Sequence, residues 1–180
     1  VYYESAWEPL NGQLAVAEVI SNRVRDHRYP DSVCGVVFQG ATRTTGCQFT
    51  FTCDGSKRRA PRGRSWERSR AVALHVSLGL GRERTGNATH YHTYYVDPYW
   101  SAGLVETRVI GSHIFYRFPK TRNEWRITQV ALQAREQHRR AVDALEAQVE
   151  EALGDADALG AQRVDGEHRV EAARAQRQKP

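Results

Sequence analysis

Two glutamates near the start of the sequence could do acid–base chemistry. The chain opens VYYESAWEP, which places Glu4 and Glu8 one helical turn apart and a proline directly after them. Cleavage of a glycosidic bond needs a proton on the leaving oxygen, and a glutamic acid whose pKa is raised by apolar neighbours can deliver it near neutral pH. The aromatic side chains of Tyr2, Tyr3 and Trp7 could provide that setting. Glu4 is therefore a candidate general acid, and an exposed carboxylate at a helix end is the alternative.

A second candidate region is the aromatic, histidine-rich stretch HYHTYYVDPYW. On a strand, two histidines at positions i and i+2 point to the same face and could ligate zinc, but no HExxH-like element accompanies them. We therefore predict no metal or cofactor and favour a sugar-binding surface, in which aromatic faces stack on pyranose rings and polar edges bind hydroxyl groups. The candidate residues are His90, Tyr91, His92, Tyr95 and Trp100.

Four residues are candidates for supporting roles. Gln48 in GCQFTF lies between two apolar positions and needs a polar partner, which a sugar ligand could supply. Phe49 forms either the wall behind that ligand or part of the core. Asn22 lies with Arg23 at the end of a helix, where capping of the C-terminus is the preferred role. We expect Glu8 to position its turn through backbone hydrogen bonds.

The charge is concentrated in the front of the chain. Residues 1–123 carry 17 Lys and Arg against 10 Asp and Glu, whereas residues 124–180 carry 9 against 11. A basic domain suits an anionic polymer such as nucleic acid or acidic cell-wall glycan. No nucleic-acid motif accompanies the charge and no apolar run approaches membrane-spanning length, so we predict neither a nucleic-acid partner nor a transmembrane segment. The basic cluster KRRAPRGR is either a solvated loop or a contact for anionic wall polymer.

The cysteines indicate one disulfide. Cys34, Cys47 and Cys53 fall within 20 residues, and an odd number cannot all pair within one chain. Their spacing does not suit zinc, so we expect one disulfide formed in an oxidising compartment and one remaining thiol. The sequence leaves the pairing open.

Hydrophobic periodicity predicts the elements that position these residues. NGQLAVAEVISNRVRD is apolar around much of its circumference and predicts a core helix, and RSWERSRAVALHVSLGLG predicts a second one that begins near Ser65. VCGVVFQ predicts a short helix capped by Ser32. CQFTFTC alternates and predicts a short extended piece, and LVETRVIGSHIFYRF predicts a hairpin around Gly111.

The composition changes after Pro119. We predict a catalytic domain over residues 1–119 and a polar, helical or partly disordered tail over 120–180. In the tail, apolar residues at a/d-like spacing (Val142, Leu145 and Val149) favour self-association or a protein partner. The chain begins at Val1 without a methionine, so we expect a mature form or a fragment.

Five blocks in the front part, taken in order, resemble the SleB/CwlJ-type cell wall hydrolases. The blocks are YYESAWEPLNGQLAVAEVISNRV, VCGVVFQG, CQFTFTCDG, ATHYHTYYVDPYW and IGSHIFYR. The resemblance implies a lysozyme-like α+β fold, mainly helical with a small β-hairpin, and cleavage of peptidoglycan between N-acetylmuramic acid and N-acetylglucosamine. It implies that Glu4 is the catalytic residue. Ser5, Ala6 and Trp7 depart from the family's usual block, whereas Glu4 and Glu8 stay in register.

The resemblance also bears on mechanism and location. With no convincing second carboxylate in the sequence, a lytic transglycosylase that uses one glutamate is favoured over a muramidase that uses water. The sequence is also compatible with a peptidoglycan-binding module without catalysis and with a metal-dependent amidase built on His90 and His92. The implied location is the bacterial cell envelope, periplasmic or extracellular.

Overall fold

The computed structural model describes residues 1–43 and 46–177, with side chains as far as residue 151. In that part of the chain there are five α-helices and three β-strands. The helices are α1 (Tyr2–Ser5), α2 (Leu10–Arg25), α3 (Val33–Val37), α4 (Gly63–Ser77) and α5 (Arg122–Arg177). The strands are β1 (His90–Thr93), β2 (Val105–Ile110) and β3 (His113–Arg117).

The core is built around α2. Its apolar residues contribute to two clusters, one with Ala88 and Phe115 from the sheet side and one with Val72 from α4. Ala15, Val16 and Val19 are completely buried, as expected for a helix that is apolar around most of its circumference. The predictions of α2, α4 and a short α3 are confirmed, and Ser32 caps α3 by accepting a bond from the Gly35 N–H.

In the described residues, β3 is the centre of an antiparallel sheet with the order β1-β3-β2. The predicted hairpin corresponds to β2 and β3, which are joined at Gly111 with φ +60°. The third strand, β1, pairs Tyr91 with Phe115 and His92 with Ile114. Side chains alternate along a strand. Tyr91 and Phe115 therefore lie on the face against α2, whereas His90 and His92 of β1 lie on the other face.

The prediction of an extended CQFTFTC is wrong. This segment forms a 3-10 turn at Thr50–Thr52, inside a loop that the Cys47–Cys53 disulfide closes. A strand cannot bring two cysteines six residues apart into bonding distance, because an extended chain separates them by about 20 Å. Cys34 is free and exposed.

The chain divides into two compact units, residues 1–131 and 132–180. The predicted division at residues 119 and 120 stays a prediction, and residues 178–180 of the predicted tail lie outside the described residues. Val142, Leu145 and Val149 of α5 are exposed, and the predicted self-association through them also stays a prediction. The helices of the described part of the chain are too short or too polar to cross a lipid bilayer.

Candidate active site

Glu4 lies on the single turn of α1 and contacts the sheet. Its Oε2 accepts a hydrogen bond of 3.1 Å from the hydroxyl of Tyr91 on β1. Burial raises the pKa of the Glu4 carboxyl, and the bond from Tyr91 and the charge of Arg23 act in the opposite direction. Burial is the largest of these effects, so Glu4 keeps its proton to a higher pH than an exposed glutamate does. A general acid requires this property.

Arg23 provides a buried positive charge near this carboxyl. It is 3% exposed, and its Nε donates to the carbonyl of Thr89 at 2.6 Å. The guanidinium carbon lies 5.4 Å from the ring centroid of Tyr29 and 5.5 Å from that of Phe49. Burial lowers the pKa of Arg23, but an arginine remains charged at neutral pH. Arg23 therefore favours the state in which Glu4 has given up its proton.

Glu8, the second carboxylate of the opening sequence, is bound to the turn between β2 and β3. It accepts bonds from the hydroxyl of Ser112 and from the Ser112 N–H at 3.3 Å, and its Oε1 lies 3.6 Å from Nδ1 of His113. Its side chain is 13% exposed. A Cβ on Gly12 would come within 2.7 Å of Glu8 Oε2, and one on Gly111 would overlap the same atom. Glu8 therefore fastens the α1 segment to the sheet, four residues from Glu4.

Glu18 on α2 holds the segment that leads into β1, and the sequence reasoning missed it. It is buried and accepts bonds from the backbone N–H of Arg84 at 2.9 Å and of Thr85 at 3.1 Å, and from the Thr85 hydroxyl at 2.6 Å. The available signal was a lone carboxylate in the most apolar part of a core helix, because a buried charge requires several donors.

Asn22 and Arg23 also bind this segment. The prediction that they cap the C-terminus of α2 is wrong, although Arg23 does lie in the last turn, where its charge suits the helix dipole. The Asn22 Nδ2 donates to the carbonyl of Ala88 at 2.8 Å, and Arg23 donates to Thr89. Both side chains are buried because they face the start of β1. The helix itself continues to Arg25, beyond both residues. Together with Glu18 they fix the start of β1 and thereby the position of Tyr91.

The structure brings only part of the predicted sugar-binding set to Glu4. Tyr91 binds it directly, whereas His90 and His92 lie on the other face of β1. Their rings pack against Trp100 at 5.3 and 5.6 Å between centroids. Burial lowers the pKa of His90 to about 4, so its ring is neutral in this cluster. Tyr95 follows the strand and is 73% exposed.

The Gln48–Phe49 segment lies nearer to α1. Phe49 is buried beside Arg23 and Phe51, and the ring of Phe51 stacks on Tyr3 with centroids 4.8 Å apart. Gln48 is half-buried, and its backbone N–H donates to the Gln39 carbonyl at 3.0 Å. Contact of either residue with a sugar stays a prediction.

The expectation that Trp7 shields Glu4 is wrong, because Trp7 is 97% exposed. Tyr2 packs edge-on against Trp66, and Tyr3 packs against Phe51. Within the described residues no three His, Cys, Asp or Glu side chains come close enough to hold a metal ion.

Comparison with known proteins decides the family. A family model described as Cell Wall Hydrolase matches residues 7–116, which is more than half of the chain. The chain belongs to this family. Spore cortex-lytic enzymes from Bacillus cereus and from Bacillus subtilis strain 168 are 35% and 32% identical to it over 120 residues. The match covers 64% of this chain but only 40% and 34% of those proteins, respectively.

A solved structure agrees with the fold. The catalytic domain of the germination-specific lytic transglycosylase SleB from Bacillus anthracis is 33% identical and superimposes with a TM-score of 0.52, covering 64% of this chain and 86% of that one. The resemblance inferred from the five sequence blocks and the lysozyme-like α+β fold class are thus confirmed. The family match begins at Trp7, so it does not include Glu4.

Proposed function

We propose that this member of the cell wall hydrolase family is an enzyme that cleaves peptidoglycan glycan strands between N-acetylmuramic acid and N-acetylglucosamine. The observation that carries the proposal is the Glu4 carboxyl, which is half-buried, bonded by Tyr91 and protonated to a higher pH by burial. The similar proteins support the substrate class, since they are described as spore cortex-lytic enzymes and a lytic transglycosylase.

The proposed reaction uses Glu4 twice. Glu4 first donates its proton to the glycosidic oxygen while the bond from that oxygen to the muramic acid C1 breaks. The 6-hydroxyl of the same muramic acid then attacks C1, and the Glu4 carboxylate takes the hydroxyl proton. The product is a 1,6-anhydro sugar, no water is consumed, and Glu4 regains its starting form. Arg23 and the Tyr91 hydroxyl stabilise the carboxylate between the two steps.

The hydrogen bonds that Glu8 already makes to Ser112 favour transglycosylation over hydrolysis. A water-using glycosidase generally needs a second carboxylate, and Glu8 is already bound to Ser112. Asp54 supports the alternative of a muramidase, because its charge is close enough to raise the pKa of Glu4. However, Asp54 is exposed and accepts the Ser56 N–H in a turn. The one-glutamate reaction is therefore our preferred mechanism.

Mass spectrometry of peptidoglycan digested by the purified chain tests these proposals. Anhydromuramic ends support transglycosylation, whereas reducing ends support a muramidase and predict that Asp54→Asn is inactive. Released peptide stems would indicate an amidase, and retention on sacculi without any product would indicate a binding module.

A matched pair of variants tests the assignment of Glu4. Glu4→Gln should lower product release by roughly a thousandfold, as expected for loss of a general acid. The control Glu83→Gln removes an exposed carboxylate from the loop before β1 and should keep wild-type activity. Full activity of Glu4→Gln would contradict the assignment.

The proposed location is the cell envelope, either periplasmic or extracellular. Peptidoglycan lies outside the cytoplasmic membrane, and the Cys47–Cys53 disulfide suits an oxidising compartment. The proposed partner is therefore the glycan strand itself.

A further inference from the structure

A cleft lies between α1 and the basic loop that precedes α4. Its volume is about 520 Å³, which is within the range of sites for small ligands. Half of its lining comes from the opening of the chain and half from the loop and the start of α4. The lining residues that matter for binding are Tyr2, Tyr3, Trp7, Arg59 and Arg62. We refer to this feature as the aromatic–arginine cleft.

The aromatic side of the cleft has two fixed rings and one free ring. Tyr3 stacks on Phe51, and its hydroxyl donates to the Arg59 carbonyl at 3.1 Å. Tyr2 packs edge-on against Trp66 with centroids 5.8 Å apart. By contrast, Trp7 is 97% exposed. An exposed indole has a large apolar surface in contact with water. A ligand that covers this surface gains the free energy of removing it from water.

The other side of the cleft carries unneutralised charge. Arg59 and Arg62 are exposed, and no ion pair joins either of them to an acidic side chain in the described part of the chain. The charge of Arg59 helps to lower the pKa of Asp54, but the larger cause is the hydrogen bond that Asp54 accepts from the Ser56 N–H, and the two side chains form no ion pair. Guanidinium groups present paired N–H donors that match the two oxygens of a carboxylate. The cleft thus combines a stacking surface with carboxylate-binding donors.

We propose that the aromatic–arginine cleft binds a carboxylate-bearing glycopeptide: Trp7 stacks on a sugar ring, and Arg59 and Arg62 bind carboxylates of the attached peptide stem. This inference rests on the proposed function, because peptidoglycan supplies both chemical groups. Trp7 follows Glu4 by three residues and lies just beyond the end of α1, so no more than about 11 Å separates their Cα atoms. One glycan strand can therefore contact Glu4 and Trp7 together. The cleft makes the enzyme prefer strands that still carry their stems.

Pelleting assays on two forms of peptidoglycan test the inference. All proteins carry Glu4→Gln, so binding is measured without turnover. The first form is intact sacculi. The second is glycan strands that an amidase has stripped of their stems; because the stems are also the cross-links, these strands are coupled to beads so that they pellet, and they are called stripped sacculi below. Replacing Arg59 and Arg62 with alanine should weaken binding to intact sacculi about fivefold, as two exposed ion pairs would. It should leave binding to stripped sacculi unchanged. Trp7→Ala should weaken binding to both forms by a similar factor, since a sugar ring is present in each.

The control replaces Arg82 and Arg108 with alanine. Both are exposed and lie outside the cleft, and this variant loses the same net charge. Equal losses in the two double variants would overturn the inference in favour of general charge attraction. Unchanged binding of the Arg59 and Arg62 variant to intact sacculi would overturn it as well, and unchanged binding of Trp7→Ala would overturn the stacking. Thermal unfolding checks that each variant is folded.

Duplex DNA serves as a second probe. If the Arg59 and Arg62 variant loses retention on immobilised DNA but keeps its binding to intact sacculi, the cleft is a nucleic-acid site and the inference is overturned. Because these assays measure binding, they are independent of the Glu4 mechanism. If the wild-type chain releases product and every cleft variant binds normally, only the cleft proposal is rejected. If the wild-type chain releases no product but the cleft variants selectively lose binding, only the proposed cleavage is rejected.

Discussion

The bond from Tyr91 to Glu4 offers the sharpest test of the proposed site. Tyr91→Phe removes one hydroxyl and keeps the ring, which packs against His113 and Phe115 with centroids 5.2 and 5.9 Å away. Burial raises the pKa of Tyr91 well above its ordinary value, so the wild-type hydroxyl stays protonated throughout the working pH range. The substitution therefore changes one hydrogen bond and little else.

The size of the effect follows from that bond. Hydrogen bonds to charged groups contribute about 1.5–3 kcal/mol, and the length of 3.1 Å on a half-buried carboxyl favours the lower figure. The bond stabilises the carboxylate that forms when Glu4 gives up its proton. Its loss should therefore lower kcat by about tenfold. The same loss favours the protonated form, so the pKa of Glu4 should rise further.

The assay is the pH dependence of kcat/KM for release of sugar fragments from peptidoglycan. Activity that needs protonated Glu4 declines as the pH rises through its pKa, so the alkaline limb should move to higher pH in Tyr91→Phe. The control Tyr99→Phe removes a hydroxyl from a tyrosine that is 84% exposed and should change neither the rate nor the alkaline limb. An alkaline limb that stays in place, or a rate loss that follows a lower melting temperature, would refute the reasoning.

Three further predictions concern the frame around the site. Gly111→Ala should lower the unfolding free energy, measured by urea titration, by about 2 kcal/mol more than Gly79→Ala does. Both glycines have positive φ, but only Gly111 lies against the Glu8 side chain. Equal losses in the two variants would contradict this packing. Alkylation without reductant should label Cys34 alone, and a second label by mass spectrometry would argue against the disulfide. Burial lowers the pKa of His90 from 6.5 in the unfolded chain to about 4 in the folded one. Between these pH values the unfolded state binds one more proton than the folded state, so the free energy of unfolding should fall by about 3 kcal/mol as the pH drops from 6.5 to 4. His90→Gln should flatten this dependence in thermal melts, and an unaltered slope would count against a buried neutral ring.

The sequence predicts elements whose stability comes from local pattern. The apolar circumference of α2 requires burial on nearly every side, and the residues around Gly111 alternate as a hairpin must. The short strand β1 was missed because its four residues are stabilised by pairing with β3 and not by their own composition. The alternation of His90 and His92 showed that they share a face, but not that the intervening tyrosine would take the face against α2.

The site was harder to predict because its contacts are distant in sequence. The resemblance of its sequence block made Glu4 a candidate catalytic residue, yet the tyrosine that bonds its carboxyl is 87 residues away. The pairing of Cys47 with Cys53 depends on a 3-10 turn that the alternating pattern concealed. The buried position of Glu18 depends on donors from the loop at Arg84, which carries no local signal. Long-range polar contacts of this kind become visible only in three dimensions.

The attachment of Glu8 to Ser112 also sets when the site can exist during synthesis. The segment that carries Glu4 and Glu8 leaves the ribosome before the residues that hold it in place: Tyr91 follows Glu4 by 87 residues, and Ser112 follows Glu8 by 104. Contacts of such long sequence separation form late in folding. A nascent chain that has not yet delivered β3 therefore displays the glutamate without its frame. The frame around Glu4 is therefore complete only when the turn at Ser112, near the end of the first compact unit, has been synthesised.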